Sequence, residues 1–215
     1  NDGVCPACIY FYKLPDVDWR ERFQILQKIL SKSTKRTNQQ FDCIIGVSGG
    51  KDSTRQAIWA RDKFGLRPLL ACLSYPPEQV TQRGVDNIAN LIDLGFDVVM
   101  SAPSPVTWKK LMRESFLQFT NWAKSTELAL FSSVPQLAIR YEIPLILWGE
   151  NPGLQLGDLK TLGKNGYDGN NLRNMNTLAG GGMDWIFDAG FESKDLIPYM
   201  YPSSSEFEKH NLQII

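Results

Sequence analysis

From Phe41 onward, short apolar runs alternate with longer stretches of helical periodicity. The apolar runs predict four strands, over Cys43–Val47, Leu69–Leu73, Phe96–Met100 and Ile143–Trp148. Between them, apolar positions recur every three or four residues and predict helices over about 51–64, 79–94, 107–123 and 132–141. Pro135 would then lie near the first turn of the last helix. Nearly unbroken apolar strands separated by helices indicate an α/β fold, a parallel sheet with helices on both faces.

The first 40 residues follow a different pattern, so we divide the chain into an N-terminal segment, 1–40, and a main domain, 41–215. A helix is predicted over about 18–31, and Asp18 with Glu21 resembles a capping box. Its apolar residues fall on one face: Trp19, Phe23, Leu26 and Leu30. Residues 31–40 are polar and partly basic and predict a surface linker.

Glycine and asparagine become frequent after the fourth predicted strand, over about 152–183. A loop of this length is uncommon unless it is functional or disordered, so we expect a segment that covers the substrate. The chain begins at Asn1 without a methionine and ends on the apolar Leu212–Ile215, as if within a strand. We therefore expect the natural protein to continue, with a truncated C-terminus here.

Composition and charge narrow the function classes. Lys+Arg and Asp+Glu both total 23, so the formal net charge is zero, without the basic excess typical of nucleic-acid-binding surfaces. No apolar run approaches the roughly 18 residues that span a bilayer, and no signal-peptide pattern opens the chain. We therefore expect a cytoplasmic protein with no membrane or nucleic-acid partner. His210 is the single histidine, so a histidine nucleophile or base is not expected.

Four cysteines divide into two pairs. Cys43 and Cys72 lie in predicted strands and are expected to be small core residues. Cys5 and Cys8 form a C-x-x-C, which could supply two of the four ligands of a structural zinc site. Such a site would need another cysteine pair upstream of Asn1.

The segment Ser48–Ser53 follows the first predicted strand and enters a helix. A glycine-rich turn at this place presents backbone N–H groups and the positive end of a helix to an anion. Gly49 and Gly50 let phosphate approach the backbone closely, and Ser48 and Ser53 add hydroxyl donors. The segment therefore predicts a phosphate-binding loop.

Two charged residues complete the loop. Lys51 supplies a positive charge, whereas the Asp52 carboxylate would repel phosphate unless a cation such as Mg²⁺ lay between them. A Walker A loop is excluded, because the required first glycine would fall on Ile45 and the required Ser/Thr on Asp52. Gly149-Glu150-Asn151 follows the fourth strand and is expected at the same sheet edge.

The sequence S-G-G-K-D-S closely resembles the pyrophosphate loop of the N-type ATP pyrophosphatases, the PP-loop, HUP-like superfamily. The resemblance implies a doubly wound, five-stranded parallel sheet with the loop after its first strand. It also implies cleavage of ATP between the α- and β-phosphates and transfer of AMP to a substrate oxygen. Lys51 and Asp52 would then be catalytic, Lys51 stabilising developing charge and Asp52 holding Mg²⁺. Ser48–Ser53 would bind the phosphates of ATP.

The wider sequence resembles the N-acetyl sugar amidotransferases of bacterial surface-glycan synthesis. The resemblance rests on Gly3–Cys8, Asp18–Phe23, Phe41–Ile45, Ser48–Ser53, Asn87–Ile92 and Pro144–Asn151. It implies that ATP adenylates the oxygen of a sugar N-acetyl group and that ammonia then displaces AMP, giving an acetamidino group. Gly149, Glu150 and Asn151 would complete the nucleotide or substrate pocket. The expected partners are an acetamido sugar, free or nucleotide-linked, and a separate glutaminase that supplies ammonia.

Several alternatives stay open. The first is a tRNA sulfurtransferase of the same fold, and the second is a nucleotide-binding regulatory or scaffold module without chemistry. Tyr75–Glu78, after the second strand, either borders the adenine or sugar or forms a rigid turn. The sugar itself is also open: precursors of pseudaminic or legionaminic acid, or diacetamido uronic acids of lipopolysaccharide, would all fit.

Overall fold

Apolar strands and amphipathic helices alternate along the described part of the chain. The computed structural model describes residues 3–14, 16–33, 39–149 and 182–215, and the backbone of 162–163 and 166–167. The strands are β1 (Cys43–Gly46), β2 (Pro68–Leu73), β3 (Asp97–Ser101), β4 (Leu145–Leu147), β5 (Leu162–Gly163), β6 (Gly166–Tyr167) and β7 (Gln213–Ile214). The helices are α1 (Pro6–Lys13), α2 (Trp19–Ser33), α3 (Lys51–Phe64), α4 (Gln82–Asp93), α5 (Pro105–Phe119), α6 (Ala123–Arg140), α7 (Asp184–Asp188) and α8 (Ser204–Lys209).

The main sheet has five strands in the order β3-β2-β1-β4-β7, and all its pairings are parallel. The central strand β1 pairs with β2 on one side, Ile44 beside Leu69, and with β4 on the other, Ile44 beside Ile146. β5 and β6 form a separate antiparallel pair. The sheet confirms the predicted α/β class and its five parallel strands.

Helices cover both faces of the sheet because successive strand residues point to opposite sides. In β1, the fully buried Ile44 faces a cluster that includes Leu111 of α5 and Val134 of α6. Its neighbour Ile45 faces the opposite cluster, which includes Ala57 of α3 and Leu91 of α4. Burying a Val, Leu or Ile side chain in these clusters stabilises the fold by about 1.5–3 kcal/mol. The doubly wound arrangement follows from this alternation.

The segment 1–40 contributes helix α2 to the second of these clusters. Leu30 is buried, and Leu26 packs against the same cluster. Trp19, which shares the predicted apolar face, is 76% exposed, and Phe23 contacts the ring of Phe64 at a centroid distance of 5.9 Å. The predicted apolar face of α2 is therefore buried only in its C-terminal half.

The predictions for the two helices before β4 are wrong about where α5 ends, where α6 begins and where Pro135 lies. The α5 helix ends at Phe119, where Thr120 adopts a left-handed conformation with φ 52°, and α6 then runs unbroken from Ala123. Pro135 lies inside α6 and not in its first turn. An interior proline removes one helical hydrogen bond and costs about 3 kcal/mol. Burial of the same stretch of α6, residues 131–135, offsets that cost.

The helix before β3 begins three residues later than predicted. Instead of starting at Gln79, the chain makes a 3-10 turn over Pro77–Gln79 and α4 begins at Gln82. Thr81 caps this helix, because its hydroxyl accepts a hydrogen bond from the Gly84 N–H at 3.2 Å.

Among the helices that the structure describes, none is both long and apolar enough to cross a lipid bilayer.

Candidate functional site

The candidate site is a cavity of about 960 Å³ at the carboxyl end of the sheet. It opens where the chain leaves β1 toward β2 and later returns to β4 on the other side of β1. At such a switch point the two connections diverge and leave a crevice, which is where α/β sheets bind ligands. Val47, after β1, and Trp148 and Gly149, after β4, line the cavity.

The loop of Ser48–Ser53 begins as soon as β1 stops pairing. The Val47 N–H donates to the Ala71 carbonyl of β2 at 2.8 Å, and the chain then turns at Gly49, whose φ is 73°. The turn is closed by its serines: the Ser48 hydroxyl accepts from the Gly50 N–H at 3.4 Å. The Ser53 hydroxyl donates to the Gly50 carbonyl at 3.2 Å. The loop is therefore short and held by its own polar groups.

Gly50 is the N-cap of α3, and no described side chain caps this end of the helix. The first N–H groups of a helix have no partner within it, and here they belong to Lys51, Asp52 and Ser53. The fourteen-residue helix also places the positive end of its dipole at this point. An anion such as phosphate would satisfy these donors.

Lys51 and Asp52 form an ion pair at the cavity wall. The Lys51 Nζ lies 2.9 and 3.1 Å from the two carboxylate oxygens of Asp52. Their side chains are 89% and 86% exposed, so the pair contributes little to stability and can exchange partners easily. A phosphate group could bind the Lys51 ammonium, and a cation could bind the Asp52 carboxylate.

The donor set around Asp52 fits Mg²⁺ better than a metal held by protein alone. Within the described residues, no group of three or more His, Cys, Asp or Glu side chains could hold a metal ion. Mg²⁺ in nucleotide sites is bound by one or two carboxylates, substrate phosphates and water, which requires no closed protein cage. Asp52, exposed beside the free N–H groups of α3, meets that requirement.

The opposite wall is formed by α6 and by the residue after β4. Phe131 and Trp148 stack with a centroid distance of 5.5 Å and an interplanar angle of 26°. Two buried polar atoms near this wall, the Trp148 Nε1 and the Gln56 Oε1, have no hydrogen-bond partner among the described residues. Gly149 lies beside Gln56, because a Cβ built on it would stand 3.3 Å from the Gln56 Oε1. This end of the cavity is apolar with a few polar groups, which suits a nucleobase or a sugar amide.

Most of the predicted phosphate-loop residues line the cavity. Five of the six loop residues line the cavity together with Gly149: Ser48, Gly50, Lys51, Asp52 and Ser53. Gly49 does not line it and instead contacts α4. Glu150 and Asn151 lie outside the described residues, as does most of 152–183. Their predicted roles stay predictions.

Tyr75–Glu78 does not line this cavity. Tyr75 packs against Trp108 at a centroid distance of 5.1 Å, and Glu78 forms an ion pair with Lys109 of α5. That pairing lowers the pKa of the Glu78 carboxyl. Of the two alternatives for this segment, the structure favours the rigid turn.

The lining residues that were not singled out from the sequence include Arg55, Gln56, Trp59 and Glu127. Arg55 and Trp59 follow Lys51 at spacings of four and eight, a helical repeat that places them on one side of α3. That repeat could have identified them. Glu127 projects from α6, whose start was not predicted.

The buried cysteines are held as thiols. Burial raises the pKa of Cys43 to about 12, and the neighbouring Asp42 carboxylate adds to the effect. Burial also raises the pKa of Cys72. Neither side chain is a thiolate at neutral pH, so neither is suited to nucleophilic chemistry.

The predicted zinc ligands are two exposed, free thiols at the start of α1. The Cys8 N–H donates to the Cys5 Sγ at 3.4 Å, which lowers the pKa of Cys5, while the hydrogen bond to Cys5 raises the pKa of Cys8. Two thiols one turn apart can form half of a tetrahedral site. The described residues supply no further ligand beside them. The zinc site therefore stays a prediction.

No protein-family model matches the chain, and no curated protein sequence matches it. Among solved structures, the chain is similar to the NH3-dependent NAD synthetase of Campylobacter jejuni, at 15% identity and a TM-score of 0.45. That match covers 66% of this chain and 61% of the synthetase. NMN synthetase from Francisella tularensis is 17% identical over 91% of this chain and 92% of that one, with a TM-score of 0.47. The U34-tRNA thiolase of Methanococcus maripaludis is 12% identical over 87% of this chain and 61% of that one, with a TM-score of 0.35. Similarities this distant do not identify a function.

Proposed function

We propose that the chain is an ATP-dependent amidotransferase that forms AMP and pyrophosphate and converts a sugar N-acetyl group into an acetamidino group. One observation carries the proposal. The S-G-G-K-D-S loop forms the open N-terminus of α3 at the β1–β4 switch point, with Lys51 and Asp52 exposed to the cavity. The bacterial surface-glycan setting and the choice of acetamido sugar come from the sequence resemblance. The proposed reaction consumes ATP and would take place in the cytoplasm.

In the proposed reaction, the first step is adenylation. The amide oxygen of the acceptor attacks the α-phosphorus of ATP, the bond to the β-phosphate oxygen breaks, and pyrophosphate leaves with the bonding electrons. The N–H groups at the start of α3 and the Lys51 ammonium would bind the departing phosphates and stabilise the charge that develops on them. Asp52 would hold Mg²⁺, which supplies additional charge neutralisation on phosphate oxygens.

The second step replaces AMP by nitrogen. Ammonia attacks the activated carbon, the carbon–oxygen bond breaks, AMP leaves with the oxygen, and the new nitrogen loses a proton. An amide oxygen is a poor leaving group, whereas AMP is a good one, so the adenylation makes the exchange possible. The apolar wall of Phe131 and Val134 would keep water from competing with ammonia.

The burial of Cys43 and Cys72 favours nitrogen transfer over the sulfurtransferase alternative. A cysteine of this chain that carried sulfur would need an accessible thiolate close to the activated carbon. Both cysteines are buried thiols of raised pKa, and neither lines the cavity. Cys5 and Cys8 are exposed but do not line the cavity either.

A pyrophosphate-release assay tests the proposal. Purified protein with Mg·ATP and ammonium chloride should release pyrophosphate when an acetamido sugar is added, from a panel of free, uronate and nucleotide-linked diacetamido sugars. Mass spectrometry should find a product about 1 Da lighter, the change when an amide oxygen is replaced by NH. Glutamine should not replace ammonium unless a glutaminase is added. Release that depends on bulk tRNA and not on any sugar would establish the sulfurtransferase alternative instead.

A further inference from the structure

The helix that carries the phosphate loop continues its cavity-facing side beyond the phosphates. Lys51, Arg55 and Trp59 recur at intervals of four residues, and all three line the cavity. With a rise of about 1.5 Å per residue, Arg55 lies about 6 Å and Trp59 about 12 Å further along the helix axis than Lys51. This row extends the cavity from the loop toward the middle of α3.

Arg55 lines two neighbouring cavities. It lines the main cavity and also a smaller hollow of about 250 Å³, which Trp59, Lys63 and the carboxylate-bearing Asp62 line as well. Arg55 is exposed and forms no ion pair with any described carboxylate. Arg61 on the same helix differs, since it bonds Asp62 at 2.7 Å. A planar guanidinium left open beside a cavity is suited to bind a carboxylate or a phosphate in a bidentate manner.

Trp59 provides an aromatic surface next to this cation. Its side chain is 42% exposed, and its ring is held edge-to-face by Phe64, at a centroid distance of 4.5 Å and an interplanar angle of 87°. Phe64 in turn contacts Phe23 of α2 at a centroid distance of 5.9 Å. The electron-rich face of an indole attracts weakly positive C–H groups, such as those on the flat side of a pyranose ring.

We propose that Arg55 and Trp59 form the acceptor subsite, in which Trp59 stacks on the sugar ring and Arg55 binds an anionic group of the same sugar. The inference rests on the proposed function and adds to it that the preferred acceptor is negatively charged. The loop and Lys51 already provide for the phosphates of ATP, so a second cation one turn further serves a second anion. That anion is either a carboxylate on the sugar or the phosphate of a nucleotide-linked sugar.

Equilibrium binding without ATP tests the subsite separately from turnover. Calorimetry would compare three ligands: a diacetamido uronic acid, a nucleotide-diphosphate-linked diacetamido sugar, and the neutral free diacetamido sugar. Arg55→Gln should raise the Kd of at least one anionic ligand by roughly tenfold or more and leave the neutral ligand unchanged. The arm that loses affinity identifies the anion. Trp59→Leu should weaken all three, and Arg20→Gln, on the exposed surface of α2, serves as the control.

Turnover measurements separate the remaining outcomes. In the pyrophosphate assay, Arg55→Gln should raise KM for the anionic acceptor and leave KM for ATP unchanged, with partial recovery in Arg55→Lys. An increase in KM for ATP alone would reassign Arg55 to the phosphates and overturn the subsite. Unchanged Kd values for every sugar in Arg55→Gln would also overturn it. If no sugar supports turnover by the wild type, the proposed function fails, while the calorimetric comparison still decides the subsite.

Discussion

Gly49 lies against the backbone of Asn87, so close that a Cβ on Gly49 would stand 2.7 Å from the Asn87 carbonyl carbon and oxygen. Gly49 also has φ 73°, a conformation that residues with a Cβ adopt only with strain. The contact joins the turn after β1 to helix α4. The loop therefore depends on a glycine for two independent reasons, and neither of them is contact with the ligand.

Gly49→Ala should displace the loop and weaken ATP binding by at least about tenfold, because the clash involves backbone that cannot rotate away. Calorimetric titration with Mg·ATP and a thermal melt measure the two effects. Gly65→Ala is the matched control: Gly65 has φ 65°, yet nothing lies within 4 Å of its Cβ position. Gly65→Ala should cost about 1 kcal/mol of stability and leave ATP affinity unchanged. Equal ATP affinity in both variants would contradict the assigned role of Gly49.

Asp52→Asn should reduce pyrophosphate release by at least about 100-fold while changing stability little. The reason is that the Lys51–Asp52 pair is exposed and contributes little to folding, whereas its carboxylate is assigned to Mg²⁺. Initial rates across a Mg²⁺ titration measure the effect, and Asp93→Asn at the exposed end of α4 is the control. Wild-type rates in Asp52→Asn would remove the magnesium role.

The first four strands, β1 to β4, and the loop were predictable because each depends on local sequence. Strand β1 is preceded by Asp42 and followed, after Val47, by the glycine-rich turn, and the end of α3 is marked by Gly65 in a left-handed conformation. Such signals depend on a few neighbouring residues and survive in any tertiary setting.

Helix α6 could not be predicted in the same way. Its first turns bury polar residues, among them Lys124 and Ser125, which are 4% and 1% exposed. Its interior contains Pro135, a residue that normally marks a helix start. Tertiary packing, rather than local preference, makes this stretch helical. Because the start of α6 was not predicted, Glu127 was not identified, although it lines the cavity from that helix.

Only part of the cavity-facing side of α3 could be predicted from the sequence. The spacing of Lys51, Arg55 and Trp59 can be read from the sequence, but it does not tell which side of the helix faces the cavity. That side is decided by the return of β4 next to β1 and by α6 on the opposite wall, both of which are long-range contacts.

Cys43→Ala should retain pyrophosphate release within about twofold, because the side chain is buried in the sheet and is not a nucleophile. In the folded wild type, iodoacetamide at pH 8 should modify the exposed Cys5 and Cys8 and spare Cys43, as mass spectrometry would show. Loss of activity in Cys43→Ala with an unchanged melting temperature would instead support sulfur transfer.

The Cys43 thiol makes the stability of the fold depend on pH. Its folded pKa, about 12, lies above the ordinary value of 9.0, so folding favours the protonated form. The stability contributed by the neutral thiol is fully present below about pH 9 and is lost as the pH rises toward 12. Chemical denaturation at pH 8, 9 and 10 should show that the free energy of unfolding falls with pH in the wild type and falls less in Cys43→Ala. Equal declines in the two proteins would contradict the raised pKa of Cys43.

A capping box formed by Ser203 and Glu206 starts α8. The Ser203 hydroxyl accepts from the Glu206 N–H at 3.3 Å, and the Ser203 N–H donates to a Glu206 carboxylate oxygen at 2.7 Å. The helix buries Phe207 and leads into β7, and beyond that strand the Ile215 carbonyl accepts from the Trp148 N–H at 2.7 Å. The box therefore supports the strand beside β4 and, through it, the wall of the cavity.

Ser203→Ala and Glu206→Gln should each lower the free energy of unfolding at pH 7 by about 1 kcal/mol, measured by urea denaturation. The backbone N–H of Ser203, and then its hydroxyl, lower the pKa of Glu206 below its ordinary value of 4.5. Stability from this depressed pKa is present above about pH 4.5 and is lost as the pH falls through the folded pKa. The difference between wild type and Glu206→Gln should therefore shrink on acidification. Glu208→Gln, on the same helix but outside the box, should show neither effect; if it matched Glu206→Gln, general helix charge and not the capping box would be responsible.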